Sequence, residues 1–281
     1  MKIKTTQWIV ISACVLLVVV IYLFADTKKA AAPKPEGPMA VRDTEGQKPE
    51  APAFDWDGYL AKVKGNITNQ DTLKLIATWE KNGSETDLRS LVDLYHKRGE
   101  SVAEAYYSLE LGMIKKDSML VRAGDLFAAT AHISNGEEMQ HYLMERSIES
   151  YKAAVGRDSS PGTRMKLATA YMEQGTAPMQ GVSILLDIVS KDSNNAEAQL
   201  LLGQFGIVSR QFDKAIVRLE KVVSLRPQNY DAIYLLAIAY GGKGEKQKAL
   251  DLLDKCSKMV RNKPELLQKI EETRKGLLNG Q

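Results

Sequence analysis

The hydrophobic pattern changes character along the chain. Trp8 to Phe24 reads WIVISACVLLVVVIYLF without a charge. A run with no polar face to turn toward water predicts a helix embedded in lipid. Residues 8–25 would reach about 26 Å, near the minimum that crosses a bilayer core. Trp8 and Tyr22 stand near its ends, where aromatic rings favour the headgroup region. From Asp26 to Ala53 the apolar pattern stops, and Pro33, Pro35, Pro38, Pro49 and Pro52 punctuate Lys, Glu, Ala and Gly. Such a stretch has too little apolar surface to form a core, so residues 26–53 read as a disordered tether with a span of roughly 30 Å. From Phe54 onward, apolar residues return at helical spacing, and the reading to the C-terminus is helix after helix with almost no strand.

Within the helical part the pattern repeats. Ala196–Asn229 and Tyr230–Lys263 align at an offset of 34 residues, with Leu202 on Leu236, Gly203 on Ala237, Ala215 on Ala249, Leu219 on Leu253 and Val222 on Cys256. Each unit reads as a helical hairpin. Leu202-Gly203 sets a large residue beside a small one, so that the partner helix approaches closely. Ala215, Leu219 and Val222 share one face of the second helix, which Pro227 then stops. Three units upstream fit more loosely: Leu167-Ala168-x2-Tyr171 with Gly181-x3-Leu185-x2-Ile188, Ala123-Gly124-x2-Phe127 with Ser147-x3-Tyr151-x2-Ala154, and Leu91-Val92-x2-Tyr95 with Ala103-x3-Tyr107. The middle one carries extra residues around His132–His141, read as a solvated loop. The turn follows at equal spacing, from Leu91 to Gly99, Leu167 to Gly175, Leu202 to Arg210 and Leu236 to Gly244. Glycine in all but one of these places predicts a helix exit with positive φ.

These units resemble tetratricopeptide repeats, whose pattern runs L-G-x2-Y, then A-x3-F, then P at period 34. The resemblance is clear over 161–263 and degenerate over 54–160. It implies an all-α fold, a TPR-like α-solenoid in which helical hairpins wind as a right-handed superhelix. From Phe54 it leaves room for about five hairpins. Residues 264–281 read as a C-terminal capping helix whose Leu266, Leu267 and Ile270 cover the last repeat. The chain departs from the pattern at Arg164, Gln199 and Ile233, where the family places tryptophan, at Arg210, and at Gly206, where other units hold tyrosine.

By the same resemblance, the first helices line a groove that binds protein or peptide partners. Its candidates are Met165, Thr169 and Met172, then Leu200, Gln204 and Ile207, then Tyr234, Ile238 and Gly241. The set is mostly apolar, and its methionines suit adaptable contact with hydrophobic segments. A competing reading has the same residues packing between neighbouring repeats. The family's clamp for a terminal carboxylate needs Lys, Arg or Asn in the groove; none stands at these positions, so that mode is not expected.

Composition changes this picture little. There are 38 basic and 35 acidic residues, a net charge of +3, without the basic excess that nucleic acid binding requires. Of two cysteines, Cys14 lies inside the apolar run, so no bridge to Cys256 is expected. His132 and His141 flank Glu137-Glu138 at a spacing that matches no zinc signature. Gly241-Gly242-Lys243-Gly244 lacks the spacing of a phosphate loop and falls at a hairpin turn. No metal, cofactor, small-molecule substrate or catalytic residue is expected. A hydrolase using Glu137, Glu138 or His141 is the remaining enzyme alternative.

The apolar N-terminal run has alternatives too. A cleaved signal peptide has a shorter apolar core, and Ile11-Ser12-Ala13-Cys14 resembles a lipobox but is followed by further apolar residues rather than a polar tether. The flanking lysines barely bias orientation. A short basic N-terminus at 1–7 favours a single-pass protein of a bacterial inner membrane with its large domain periplasmic, the cytoplasmic-facing arrangement being the alternative. The expected function is a membrane-tethered interaction module, an envelope scaffold or chaperone-like helper. A structural subunit of a fixed transport or secretion assembly is the second reading.

Overall fold

The computed structural model describes residues 54–114 and 118–279. The basic stretch at 1–7, the membrane span Trp8–Ala25 and the tether at 26–53 lie outside the described residues, as does the end of the cap at 280–281. Among the described residues there are 13 helices and no strand, and no helix is long and apolar enough to cross a membrane. A short pair, α1 (Trp56–Gly65) and α2 (Gln70–Asn82), comes first. Five hairpins follow, the number the repeats imply: α3 (Glu85–Arg98) with α4 (Ser101–Ile114), α5 (Met119–Ile133) with α6 (Glu137–Val155), α7 (Pro161–Gln174) with α8 (Pro178–Lys191), α9 (Ala196–Val208) with α10 (Phe212–Leu225), and α11 (Tyr230–Lys243) with α12 (Lys246–Met259). The last helix is α13 (Pro264–Asn279).

Local chemistry marks the start of most first helices. Ser84, Ser160, Asn195 and Asn229 each accept the backbone N–H three residues on, closing the free end of α3, α7, α9 and α11. The second helices α6, α8, α10 and α12 lack such a side-chain cap; α8, α10 and α12 follow tight turns. Those turns have the predicted conformation, with φ of +72° at Gly99, +74° at Gly175 and +90° at Gly244. Arg210 adopts the same region at +58°, a conformation that costs an L-residue about 1–2 kcal/mol. At Gly203 the absence of a side chain is required, because a Cβ there would lie 2.7 Å from Leu219 Cγ.

The seams between hairpins are apolar in the C-terminal half. Leu185, Leu219 and Leu253 are fully enclosed, and Ile270 of α13 is buried in the last core with Leu266 and Leu267 packed beside it. The positions that lack tryptophan are filled in other ways. Arg164 pairs with Asp187 at 2.7 Å, buried Gln199 accepts from Arg218 Nη1 at 2.9 Å, and Ile233 joins the final core.

The extra residues around His132–His141 do not form the expected loop. They lengthen α5 to 15 residues and α6 to 19, leaving only Ser134–Gly136 between them. The reason is packing: Phe127 and Ala131 on one helix and Leu143, Met144 and Ile148 on the other are buried, so the added turns still face a core. At the other end, residues before and within α1 lie on the second helices. Trp56 stacks on Tyr106 at 4.2 Å and Phe54 on Tyr142 at 4.5 Å between ring centres. Lys64 reaches Glu80 of α2 at 2.7 Å, and the Tyr107 hydroxyl of α4 donates to that same carboxylate.

Candidate partner-binding groove

First helices from consecutive hairpins frame a cavity of about 430 Å³. α5 contributes Asp125, Ala128 and His132; α7 contributes Gly162, Met165, Lys166, Thr169 and Glu173; α9 contributes Glu197 and Leu201. Through the repeat offsets, Lys166 corresponds to Leu201 and Leu235, and Thr169 to Gln204 and Ile238. The lining is therefore charged toward α5 and α7, while α9 sets Glu197 beside Leu201, with Asp231 and Leu235 at the corresponding places of α11. Val208 extends the apolar part and is 76% exposed.

The sequence candidates divide between groove and seam. Thr169 lines the cavity and is half-buried, Gln204 is exposed, and Ile238 is half-buried. Met165 touches the cavity but is only 7% exposed and packs with Val182, Ala198 and Leu202. Met172 lies against that same core. Leu200 and Ile207 pack on Ala215 and Leu219 of their own hairpin and on Leu236 of the next. Tyr234 is buried under α13, where its hydroxyl meets Thr273 Oγ1 at 2.8 Å and the Lys269 ammonium lies 5.0 Å from its ring centre. Gly241 lies against Leu277. The cause is angular: each residue turns an α-helix by about 100°, so the residue following Met165 or Leu200 faces the groove while those two face the neighbour.

That register brings in groove residues that the pattern of large and small positions could not reveal. Asp125 accepts from Lys166 Nζ and from the Tyr151 hydroxyl, each at 2.7 Å. Burial first, and then this bond to Asp125, hold the Tyr151 hydroxyl well above the usual phenol range. His132 Nε2 lies 3.4 Å from Glu173, so two polar ties cross from α5 to α7 on the groove side. A second cavity, of about 850 Å³, opens between the α3–α4 and α5–α6 hairpins. Glu104, 3% exposed, stands in its wall, held by Arg122 Nε at 3.0 Å and by Arg122 Nη2, with His96 Nδ1 at 3.1 Å. Arg122 and Lys166 are thus the basic residues that the candidate list omitted. Both already serve an internal carboxylate, so clamping a terminal carboxylate would break those pairs. Glu137 and Glu138 are exposed in the first turn of α6, and His141 Nδ1 lies 3.5 Å from Glu145. Among the described residues no group of His, Cys, Asp and Glu could hold a metal ion.

Residues 207–269 match the family profile of the tetratricopeptide repeat. That segment is therefore similar to the tetratricopeptide repeat, and it lies in an array of helical hairpins. Comparison with curated protein sequences finds no match. Among solved structures, the crystal structure of MamA protein is similar at a TM-score of 0.49 and 21% identity, covering 64% of this chain and 94% of that one. YrrB, described as a TPR protein with an unusual peptide-binding site, is similar at 0.47 and 16%, covering 69% and 96%. MamA residues 41 to the end from Desulfovibrio magneticus RS-1 are similar at 0.42 and 17%, covering 56% and 89%.

Proposed function

We propose that the chain is a protein-interaction module held at a membrane by Trp8–Ala25, with its repeats free on a tether to hold client polypeptides or to scaffold a larger complex of a bacterial envelope. The observation that carries the reading is the apolar face of the first helices: Val208 is 76% exposed, with Leu201, Leu235 and Ile238 beside or along the same face, half-buried where they also pack on the adjoining cores. Exposed apolar surface gathered on one face marks interaction sites more often than scattered single residues do. The uncharged run at 8–24 and the proline-rich stretch after it support the anchor and the tether.

The test compares two exposed valines. A photo-crosslinker in the full chain at Val208 is expected to capture a defined polypeptide in cells, while one at Val217 on the second helix α10, 66% exposed, captures little. Equal capture from both, or none from Val208, would remove the groove reading. For the anchor, deletion of residues 1–25 is expected to move the protein from the membrane to the soluble fraction; unchanged fractionation would remove that part.

A further inference from the structure

Building on the reading as an interaction module, we infer that the groove side of α9 and α11 takes an extended polypeptide carrying apolar residues and two basic residues spaced two apart, on the same side of the chain. The floor is apolar, with Leu201 and Val208 from α9 and Ile238 from α11. The charge at this end is acidic. Lys166 is held by Asp125, His132 by Glu173, and Lys243 by Asp213 and Glu245 at 2.9 and 3.0 Å; Lys269 lies over the Tyr234 ring, and Arg210, at the opposite end of α9, is about 20 Å along the helix from Glu197. Glu197 lines the cavity, and Asp231 holds the same place one repeat later. Both are exposed.

Charge complementarity then selects the occupant. An acidic segment would be repelled by both carboxylates. A wholly apolar one would strip water from them without returning a partner, which is costly. A lysine or arginine lays its aliphatic stem on the apolar floor and its charged end at the carboxylate. The spacing follows from the scaffold. α9 and α11 pack against each other, packed helices lie about 8–10 Å apart, and side chains that face the same way along an extended chain recur every second residue, about 7 Å apart, a difference that the flexible stems of two bases bridge.

The test uses the full chain in detergent and short fluorescent peptides of leucine and serine. One carries two lysines two apart, another carries glutamates in their place. The lysine peptide is expected to bind about fivefold tighter, the effect of two partly exposed ion pairs, and the preference to shrink at high salt. The variant Glu197→Lys with Asp231→Lys is expected to reverse the order while keeping its helix content and melting temperature. Equal binding of the two peptides, or an order that the folded double variant leaves unchanged, would overturn the inference. So would binding of neither peptide; crosslinking from Val208 would then still decide separately whether the face is an interaction surface.

Discussion

Tyr107 in α4 and Leu219 in α10 hold the same place in their hairpins, four residues after the small residues Ala103 and Ala215. Both are buried, but by different means. Leu219 is enclosed by Ala215, Leu236 and Ala239, all aliphatic and all from its own or the next hairpin. Tyr107 lies 5.4 Å from the Tyr95 ring and donates its hydroxyl to Glu80 of α2, which also holds Lys64 of α1. The C-terminal hairpins are thus stabilised by nearest-neighbour packing of the kind a repeat array provides. The N-terminal hairpins use larger aromatic residues whose polar tips need partners, and those partners come from other elements. A related contrast appears in the groove, where the charges near α5 and α7 are internally tied, while near α9 and α11 the exposed carboxylates Glu197 and Asp231 stand beside apolar residues.

Cutting the aliphatic seam is the largest expected effect. Leu219→Ala removes a fully enclosed side chain and should cost about 2–5 kcal/mol, read by urea denaturation, with faster hydrogen exchange concentrated in α9–α12. Exchange rising equally in α1–α6 would mean that the two halves are not independent. Next comes the polar tie. Arg122→Met leaves Glu104, 3% exposed, without its main counter-charge. Arg122 itself is 44% exposed at its side chain, so solvent softens the loss to about 2 kcal/mol. The double variant with Glu104→Gln should recover part of it.

Alkaline pH offers a third way to separate the halves. Burial, aided at Tyr107 by Glu80 and at Tyr151 by Asp125, pushes the hydroxyls of Tyr95, Tyr107 and Tyr151 well up from 10.0. In the C-terminal half, the bond to Glu220 and then burial push Tyr240 up to about 12, and burial pushes the Cys256 thiol from 9.0 up to about 11. Folding favours the protonated form of each group. The stability they contribute is therefore complete below their unfolded values and is lost as pH rises through the folded ones. Because Tyr59, Tyr106 and Tyr142 are also raised, hydrogen exchange above pH 10 should loosen α1–α6 before α7–α13. The smallest effect is a gain: Arg210→Gly relieves the +58° φ and should add about 0.5–1 kcal/mol, after the greater chain entropy of glycine is subtracted. A loss would mean that the Arg210 side chain contributes contacts worth more than the strain.

The C-terminal repeats were legible because their information is local. Large and small residues at fixed spacing place Leu202, Gly203, Ala215 and Leu219, and an equal interval places each turn, including the one at Arg210. The lengthening of α5 and α6 was not legible, since polar residues from His132 to His141 read as solvent-facing whether in a loop or on a helix. Nor was the groove's register. Met165 and Lys166 are adjacent, and periodicity alone does not say which side of a helical stripe the next hairpin covers. The ties Glu104–Arg122 and Asp125–Lys166 join residues 18 and 41 positions apart, beyond any repeat pattern.

The register of α9 is the point on which groove and seam separate, and thiol reactivity reads it directly. In a full chain with Cys14 and Cys256 replaced, single cysteines are introduced at 199, 202, 204 and 208 and their alkylation rates measured in the folded protein. The account predicts fast reaction at Gln204 and Val208 and slow reaction at Gln199 and Leu202. Fast reaction at 199 and 202, with protection at 204 and 208, would contradict it.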